Sequence, residues 1–381
     1  LTVTGTFATA VTTAGSASGI AMAAAPTITD TLTAGASPVT ALTEVDLGLQ
    51  IQSYFRNGQK GSLFTGNADA NSPDIGPAGF DTAAGMVHYE GVVLGSPTVD
   101  LFFVADTENH RVLIFEGLPA GNFGNATVVL GQPDFASNLP NQSSSPSAGA
   151  ASDTLHTPVD VQFHAATNQL FVCDAGNNRV TVFNNVVNTV TGSLSLNDGS
   201  SASYVIGQSN LITNFSNQGS TPSSRTLSSP GGIHIEGTQL AIADTGNHRV
   251  LVWSSLPAAS NAAASVVLGQ ADFVSNSADG GLGTIDGTVL ESPNDVVIDS
   301  TATVNGTVGA VVVADTGNNR VLVWHSTNPA SGAMADRVLG QAGFATDAAG
   351  AGGAGLDSPR GVEIFPTSTN FTTGDTIFVC D

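Results

Sequence analysis

The stretch Ile242-Ala-Asp-Thr-Gly-Asn-His-Arg-Val-Leu-Val-Trp253 decides how this chain is read. A short apolar run ends in Asp244, a polar turn follows, and a second apolar run opens at Arg249. Short runs rich in Val, Ile and Leu between turn residues read as β-strands. Thr-Gly-Asn-His between two of them reads as a tight hairpin, with the glycine at positive φ and the asparagine bonding the turn backbone. The same phrase recurs at Val104–Phe115, Val172–Phe183 and Val313–Trp324, and a fifth copy, Phe378-Val-Cys-Asp381, stops at its aspartate. The aspartates at 106, 174, 244, 315 and 381 are spaced by 68, 70, 71 and 66 residues. A near-constant period marks a repeat architecture.

Two further words accompany each hairpin. Upstream stands an alternating run: Gly85-Met-Val-His-Tyr, Pro158-Val-Asp-Val-Gln-Phe, Pro230-Gly-Gly-Ile-His-Ile, Pro293-Asn-Asp-Val-Val-Ile and Pro359-Arg-Gly-Val-Glu-Ile. Downstream, Val-Leu-Gly-Gln or its variant ends at Gln132, Gln208, Gln270 and Gln341. Each repeat therefore holds four short strands, here a to d, and four antiparallel strands repeated about an axis form a propeller blade. The expected class is all-β. Blades fall near 85–135, 158–210, 230–273 and 293–344, and a fifth opens at 359. Phe64-Thr-Gly-Asn67 resembles a weak strand d, so an earlier blade is expected, giving six with the last incomplete. The polypeptide is expected to continue past Asp381, the other reading being strands supplied by another chain. Residues 1–45 lack the repeat words and read as an arm or as divergent first-blade strands, with the propeller over 46–381.

The Asp-x-x-Asn-x-Arg hairpin resembles that of the NHL-repeat β-propellers, over roughly residues 60–381, in a long-loop bacterial form. That resemblance implies a propeller with ligands at the mouth of its central channel. The family's peptide-amidating lyases hold zinc with channel histidines, and their Pro-His word would map onto Val159, Gly231, Asn294 and Arg360, none of which is histidine. Gluconolactonase-like and paraoxonase-like propellers use Glu, Asn and Asp on calcium.

Composition narrows the function. Only 10% of the 381 residues are charged, against about 25% in an average soluble protein, and 31 acidic residues face 9 basic ones for a net −22. Such a surface is repelled by phosphate backbones and by anionic membranes, so no nucleic-acid partner is expected. No apolar run reaches the length of a membrane-spanning helix. Cys173 and Cys380 stand where other copies carry Ala105, Ala243 and Ala314, which reads as a small buried residue rather than a disulfide. No phosphate loop, nucleophile elbow or metalloprotease motif is present.

Four of the eight arginines occupy one slot. Asp106 with Arg111, Asp174 with Arg179, Asp244 with Arg249 and Asp315 with Arg320 read as structural staples across the hairpins. Their symmetry argues against catalysis. His110 and His248 share a turn slot with Asn178 and Asn319 and read as surface turn residues. The Phe115, Phe183, Trp253 and Trp324 position reads as inter-blade core. Asp160, Asn294, Asp295 and Arg360, at the starts of strands a, form a candidate ring at the channel mouth, a set of oxygens suited to Ca²⁺. His88 and His234, equivalent on strand a, are weaker metal candidates along with Asp160 and Asp295. No cofactor is otherwise expected.

The loops 136–157, 211–229, 274–292 and 345–358 lie on one face, rich in Ser, Asn, Gly and Ala, and long loops of this kind are often functional. The expected function is a non-enzymatic extracellular or cell-surface module for protein interaction or assembly, such as a filament or surface layer. Its partners would be other proteins or copies of itself through these loops. The alternative is a divalent-metal hydrolase or lyase acting at the channel mouth.

Overall fold

The computed structural model describes residues 76–118, 124–145, 149–281, 283–304, 307–350, 355–365 and 376–381. The expected arm at 1–45 and the weak strand d at 64–67 lie outside them. Every regular element among the described residues is a strand or a single 3-10 turn. Among the described residues no helix is long and apolar enough to cross a membrane.

The first blade consists of β1 (Ala83–Val92), β2 (Thr98–Asp106), β3 (Arg111–Glu116) and β4 (Val128–Leu130). The second is β5 (Pro158–His164), β6 (Gln169–Asp174), β7 (Arg179–Asn184) and β8 (Tyr204–Ile206). The third is β9 (Ile233–Glu236), β10 (Gln239–Asp244), β11 (Arg249–Trp253) and β12 (Val266–Leu268). The fourth is β13 (Asp295–Val304), β14 (Thr307–Asp315), β15 (Arg320–Trp324) and β16 (Arg337–Leu339). Each forms an antiparallel four-stranded sheet in chain order, and β17 (Gly361–Phe365) pairs with β18 (Thr376–Cys380) as a fifth, two-stranded sheet. The chain is a β-propeller. The expectation of six blades is narrowed to four complete ones among the described residues, because the count rested in part on words outside them.

The inner strands β1, β5, β9, β13 and β17 are neighbours in that order, so successive sheets pack face to face. This explains why strands b and c are apolar almost throughout: both of their faces are covered. Phe103 and Ile114 meet Val161, Val172 and Phe183 at the first seam. Phe171 and Val182 meet Ile233, Ile242 and Trp253 at the second. Val250 and Val252 meet Val296, Val313 and Trp324 at the third, and Val297, Val312 and Val321 meet Val362 and Ile364 at the fourth. Phe115 packs with Phe80 and Met86 on the outer face of the first blade.

The hairpins close on the pairs Asp106–Arg111, Asp174–Arg179, Asp244–Arg249 and Asp315–Arg320 in every register. The left-handed residue is not the expected glycine. It is His110, Asn178, His248 or Asn319, at φ of 54°, 53°, 53° and 51°. The hairpin glycine is there for space: a Cβ on Gly246 would lie 2.6 Å from Ser228 Oγ and 2.8 Å from its carbonyl oxygen. Positive φ belongs instead to the glycine of the strand d word, as at Gly269 (84°).

Candidate functional site

Each hairpin aspartate is a fully buried hub. Its Oδ2 accepts from the arginine Nε at 2.7 Å in all four blades. The same oxygen accepts from Nδ2 of Asn109, Asn177, Asn247 or Asn318. Oδ1 accepts the main-chain amide of Asp81, His156, Ser228 or Glu291 at 2.7 Å. The arginine forks donate onward to loop carbonyls. Arg249 reaches the carbonyl oxygens of Phe273, Ser223 and Thr226. Arg320 reaches those of Phe344, Asp286 and Val289. Burial pushes the Asp106 and Asp244 carboxyls up, and that of Asp315 up to about 6, against the lowering pull of Arg111, Arg249 and Arg320. With donors on both oxygens and a guanidinium alongside, these carboxylates tie strands and loops together.

The turn slot that reads as surface in the sequence is an inter-blade latch. His110 Nδ1 accepts the amide of Thr157 at 3.0 Å, and His248 Nδ1 that of Ser292 at 3.0 Å. Asn178 Oδ1 and Asn319 Oδ1 take the amides of Ser229 and Ser358 in the same way. His and Asn are interchangeable here because each offers one acceptor, which the sequence showed only as an alternation. Burial, and then the neighbouring His156 at 5.2 Å between ring centroids, lower the His110 pKa to about 4. The unfolded chain therefore takes up a proton first, and this latch loses stability as pH falls from about 6.5 to 4. Asn keeps the acceptor and cannot protonate. His110→Asn is expected to leave the melting temperature at pH 7 nearly unchanged and to flatten its decline toward pH 4. Equal slopes for the two proteins would contradict this.

The long loops are pinned rather than free. Gln132, Gln208, Gln270 and Gln341 each donate Nε2 to the turn-slot carbonyl of their own blade and to a loop carbonyl seven residues on. Asn141 and Asn217, at φ of 50° and 51°, form reciprocal amide pairs with Asn177 and Asn247. Asn141, which opens an Asn-Gln-Ser triplet of the glycosylation type, therefore lies in a buried pair. Sequence reasoning missed these glutamines, although their fixed place in the strand d word was the available signal.

At the start of β5, Asp160 Oδ1 accepts the amide of Val161 at 2.8 Å and its Oδ2 that of Ile233, in the next blade, at 2.9 Å. Asp295 does the same with Val296 at 2.8 Å and Val362 at 3.0 Å. Glycines of the preceding blade back onto them: a Cβ on Gly85 would lie 2.5 Å from Asp160 Oδ1, and one on Gly232 2.6 Å from Asp295 Oδ1. Asn294 is half-buried, and Arg360, exposed, holds the equivalent position at the start of β17. His88 and His234 are engaged separately. His88 Nε2 lies 2.7 Å from Asp100 Oδ1, and His234 Nδ1 accepts the amide of Ile298 at 3.1 Å. Among the described residues no three His, Cys, Asp or Glu side chains cluster as metal ligands.

Cys173 and Cys380 are free thiols. Cys173 fills a gap left by its own repeat. Thr107, Thr245 and Thr316 donate to the carbonyls of Pro158, Pro293 and Pro359. The second blade has Ala175 in that slot, and the Cys173 thiol reaches the Pro230 carbonyl at 3.3 Å instead. Burial, followed by the carboxylates of Asp160, Asp174, Asp244 and Asp295, pushes this thiol up, so it is unreactive.

No protein-family model matches the chain, and no curated protein matches it. Solved structures similar to it include the periplasmic gluconolactonase PpgL of Pseudomonas aeruginosa, at 15% identity and a TM-score of 0.33 over 68% of this chain and 55% of that one. A putative 6-phosphogluconolactonase from Bacteroides uniformis gives 13% and 0.34 over 65% and 53%. The Cps50 (Swd1) β-propeller domain of Myceliophteria thermophila gives 10% and 0.31 over 62% and 51%. The chain spans about half the length of these proteins. The expectation of a non-enzymatic interaction or assembly module is corrected: the similar structures include a gluconolactonase and putative 6-phosphogluconolactonases. No match ties the chain to the NHL repeats.

Proposed function

We propose that the protein is a hydrolase acting at the channel mouth. Asp160, Asn294 and Asp295 would supply hard oxygen ligands for a divalent cation of the calcium class, and Arg360 would face an anionic part of the substrate. The observation that carries this reading is the fixing of Asp160 and Asp295. Each is held by amides of two blades and backed by a glycine, so the carboxylates need no reorganisation when a cation or substrate arrives. A bound cation would polarise an ester or lactone carbonyl.

The test is hydrolysis of a panel of aryl esters and lactones in calcium, with Asn294→Ala as the probe variant. This substitution removes a mouth oxygen and leaves the Asp295 struts in place. A loss of about tenfold or more in rate, with an unchanged melting temperature, supports the reading. No hydrolysis by the wild-type protein, or full activity in the variant, overturns it. The same reading takes the fold as an NHL-like propeller of six blades in the full chain, supported by the Asp-x-x-Asn-x-Arg hairpins. It sets the protein outside the cell, where a sparsely charged repeat with Ser, Thr and Asn loops fits.

A further inference from the structure

The fourth blade departs from the others at one buried amide. In the second blade, Asn177 Oδ1 receives two donors: Asn141 Nδ2 from the preceding loop at 3.0 Å and Asn214 Nδ2 from its own following loop at 3.3 Å. In the third, Asn247 Oδ1 receives Asn217 at 2.9 Å, and in the first, Asn109 Oδ1 receives Asn138 at 3.4 Å. The fourth blade carries Asp279 where the others have Asn141 and Asn217, and Asp347 where they have Asn138, Asn214 and Asn276.

The backbone frame is unchanged by these exchanges. Asp279 keeps φ at 52°, and its amide bonds the Leu290 carbonyl as Asn141 bonds Leu155 and Asn217 bonds Leu227. The Asp347 carbonyl accepts from Asn319 Nδ2 at 2.8 Å, as the Asn214 carbonyl accepts from Asn178 at 2.9 Å. Asn318 Nδ2 is fully used, donating to Asp279 Oδ1 at 2.9 Å and Asp315 Oδ2 at 3.0 Å, which fixes the orientation of the amide. By their place in the repeat, Asp279 and Asp347 stand where Asn141 and Asn214 donate to Asn177 Oδ1, so the two positions that supply N–H donors there carry carboxylates here. Asn318 is fully buried, and this oxygen has no hydrogen-bond partner.

The buried Asn318 Oδ1, with carboxylates at both positions that would otherwise supply its donors, calls for a cation. Arg320 cannot give it, because its nitrogens already serve Asp315 and three carbonyls. We propose that Asp279, Asn318 and Asp347 form a site for a divalent cation of the calcium class, which does in the fourth blade what asparagine amides do in the others. Two carboxylates and an amide oxygen are hard ligands, and Asp347 is exposed, so water completes the shell and the ion enters from solvent. The ion would fasten the loops on either side of the fourth hairpin. This site is separate from the channel mouth and does not depend on it.

The test compares the full chain with the double variant Asp279→Asn, Asp347→Asn, which installs the residues of the other blades and is expected to fold. Calorimetric titration with calcium chloride after chelation counts ions, and thermal melting reads their effect. The wild-type protein is expected to gain about 5–10 °C at calcium a hundredfold above its Kd. The double variant is expected to bind one ion fewer, to lose that gain, and to melt in chelator no lower than the wild type. Asn294→Ala is expected to retain this ion, so loss at the mouth and loss here are read separately. No calcium binding by the wild type, or an equal ion count and thermal gain in the double variant, overturns the proposal.

Discussion

Asp244→Ala is expected to lower the melting temperature by about 6–20 °C. The substitution leaves the Arg249 guanidinium fully buried with its Nε partner gone. It also strips the acceptor from Asn247 Nδ2 and from the Ser228 amide, each 2.7 Å from the carboxylate. Removing one partner of a buried pair costs about 3–5 kcal/mol, since the remaining charge is uncompensated. For a domain of this class, each kcal/mol shifts the midpoint by about 2–4 °C. Removing the orphaned charge as well, with Asp244→Ala and Arg249→Leu together, is expected to recover part of the loss. The two carbonyls that Arg249 holds from the preceding loop would still be released. A melting curve for Asp244→Ala that overlays the wild type would show that the hub is dispensable.

Gly269→Ala is the second large effect, expected to cost about 2–5 kcal/mol. Two terms add. The residue sits at φ of 84°, a conformation L side chains rarely adopt, which costs about 1–2 kcal/mol. A Cβ there would lie 2.5 Å from Leu290 Cδ1 and 2.8 Å from its Cβ. Leu290 is fully buried in the seam between the third and fourth blades, so it has no room to yield, and overpacking costs about 1–3 kcal/mol more. The denaturant midpoint measures the sum. A loss below about 1 kcal/mol would mean that the loop carrying Leu290 lifts freely from the blade.

The hairpins were legible because they are local. Asp244, Asn247 and Arg249 lie within six residues of one another, and four copies in register expose their spacing. What could not be read was what the turn residues do across a seam. His248 reaches Ser292, and Asn141 reaches Asn177, over separations that depend on how neighbouring blades pack. For the same reason the loops read only as a long polar face, although glutamines and arginines fasten them. The glycine of the hairpin and that of the strand d word look alike in sequence. Only the backbone shows that Gly246 is needed for space and Gly269 for its dihedral angle. Asp160, Asn294, Asp295 and Arg360 were singled out by their register at the start of strand a. That Asp160 and Asp295 also strut the seams needed the next blade in view.

Half of the arginines are sealed inside the hairpins: Arg111, Arg179, Arg249 and Arg320 are all fully buried. Of the described basic residues, this leaves Arg225, Arg337 and Arg360 exposed as places where trypsin can cut the folded chain. Cleavage at a hairpin arginine requires that blade to open first. A tryptic digest of the native protein is therefore a blade-by-blade clock of local unfolding, with each hairpin fragment reporting the lifetime of one closed repeat.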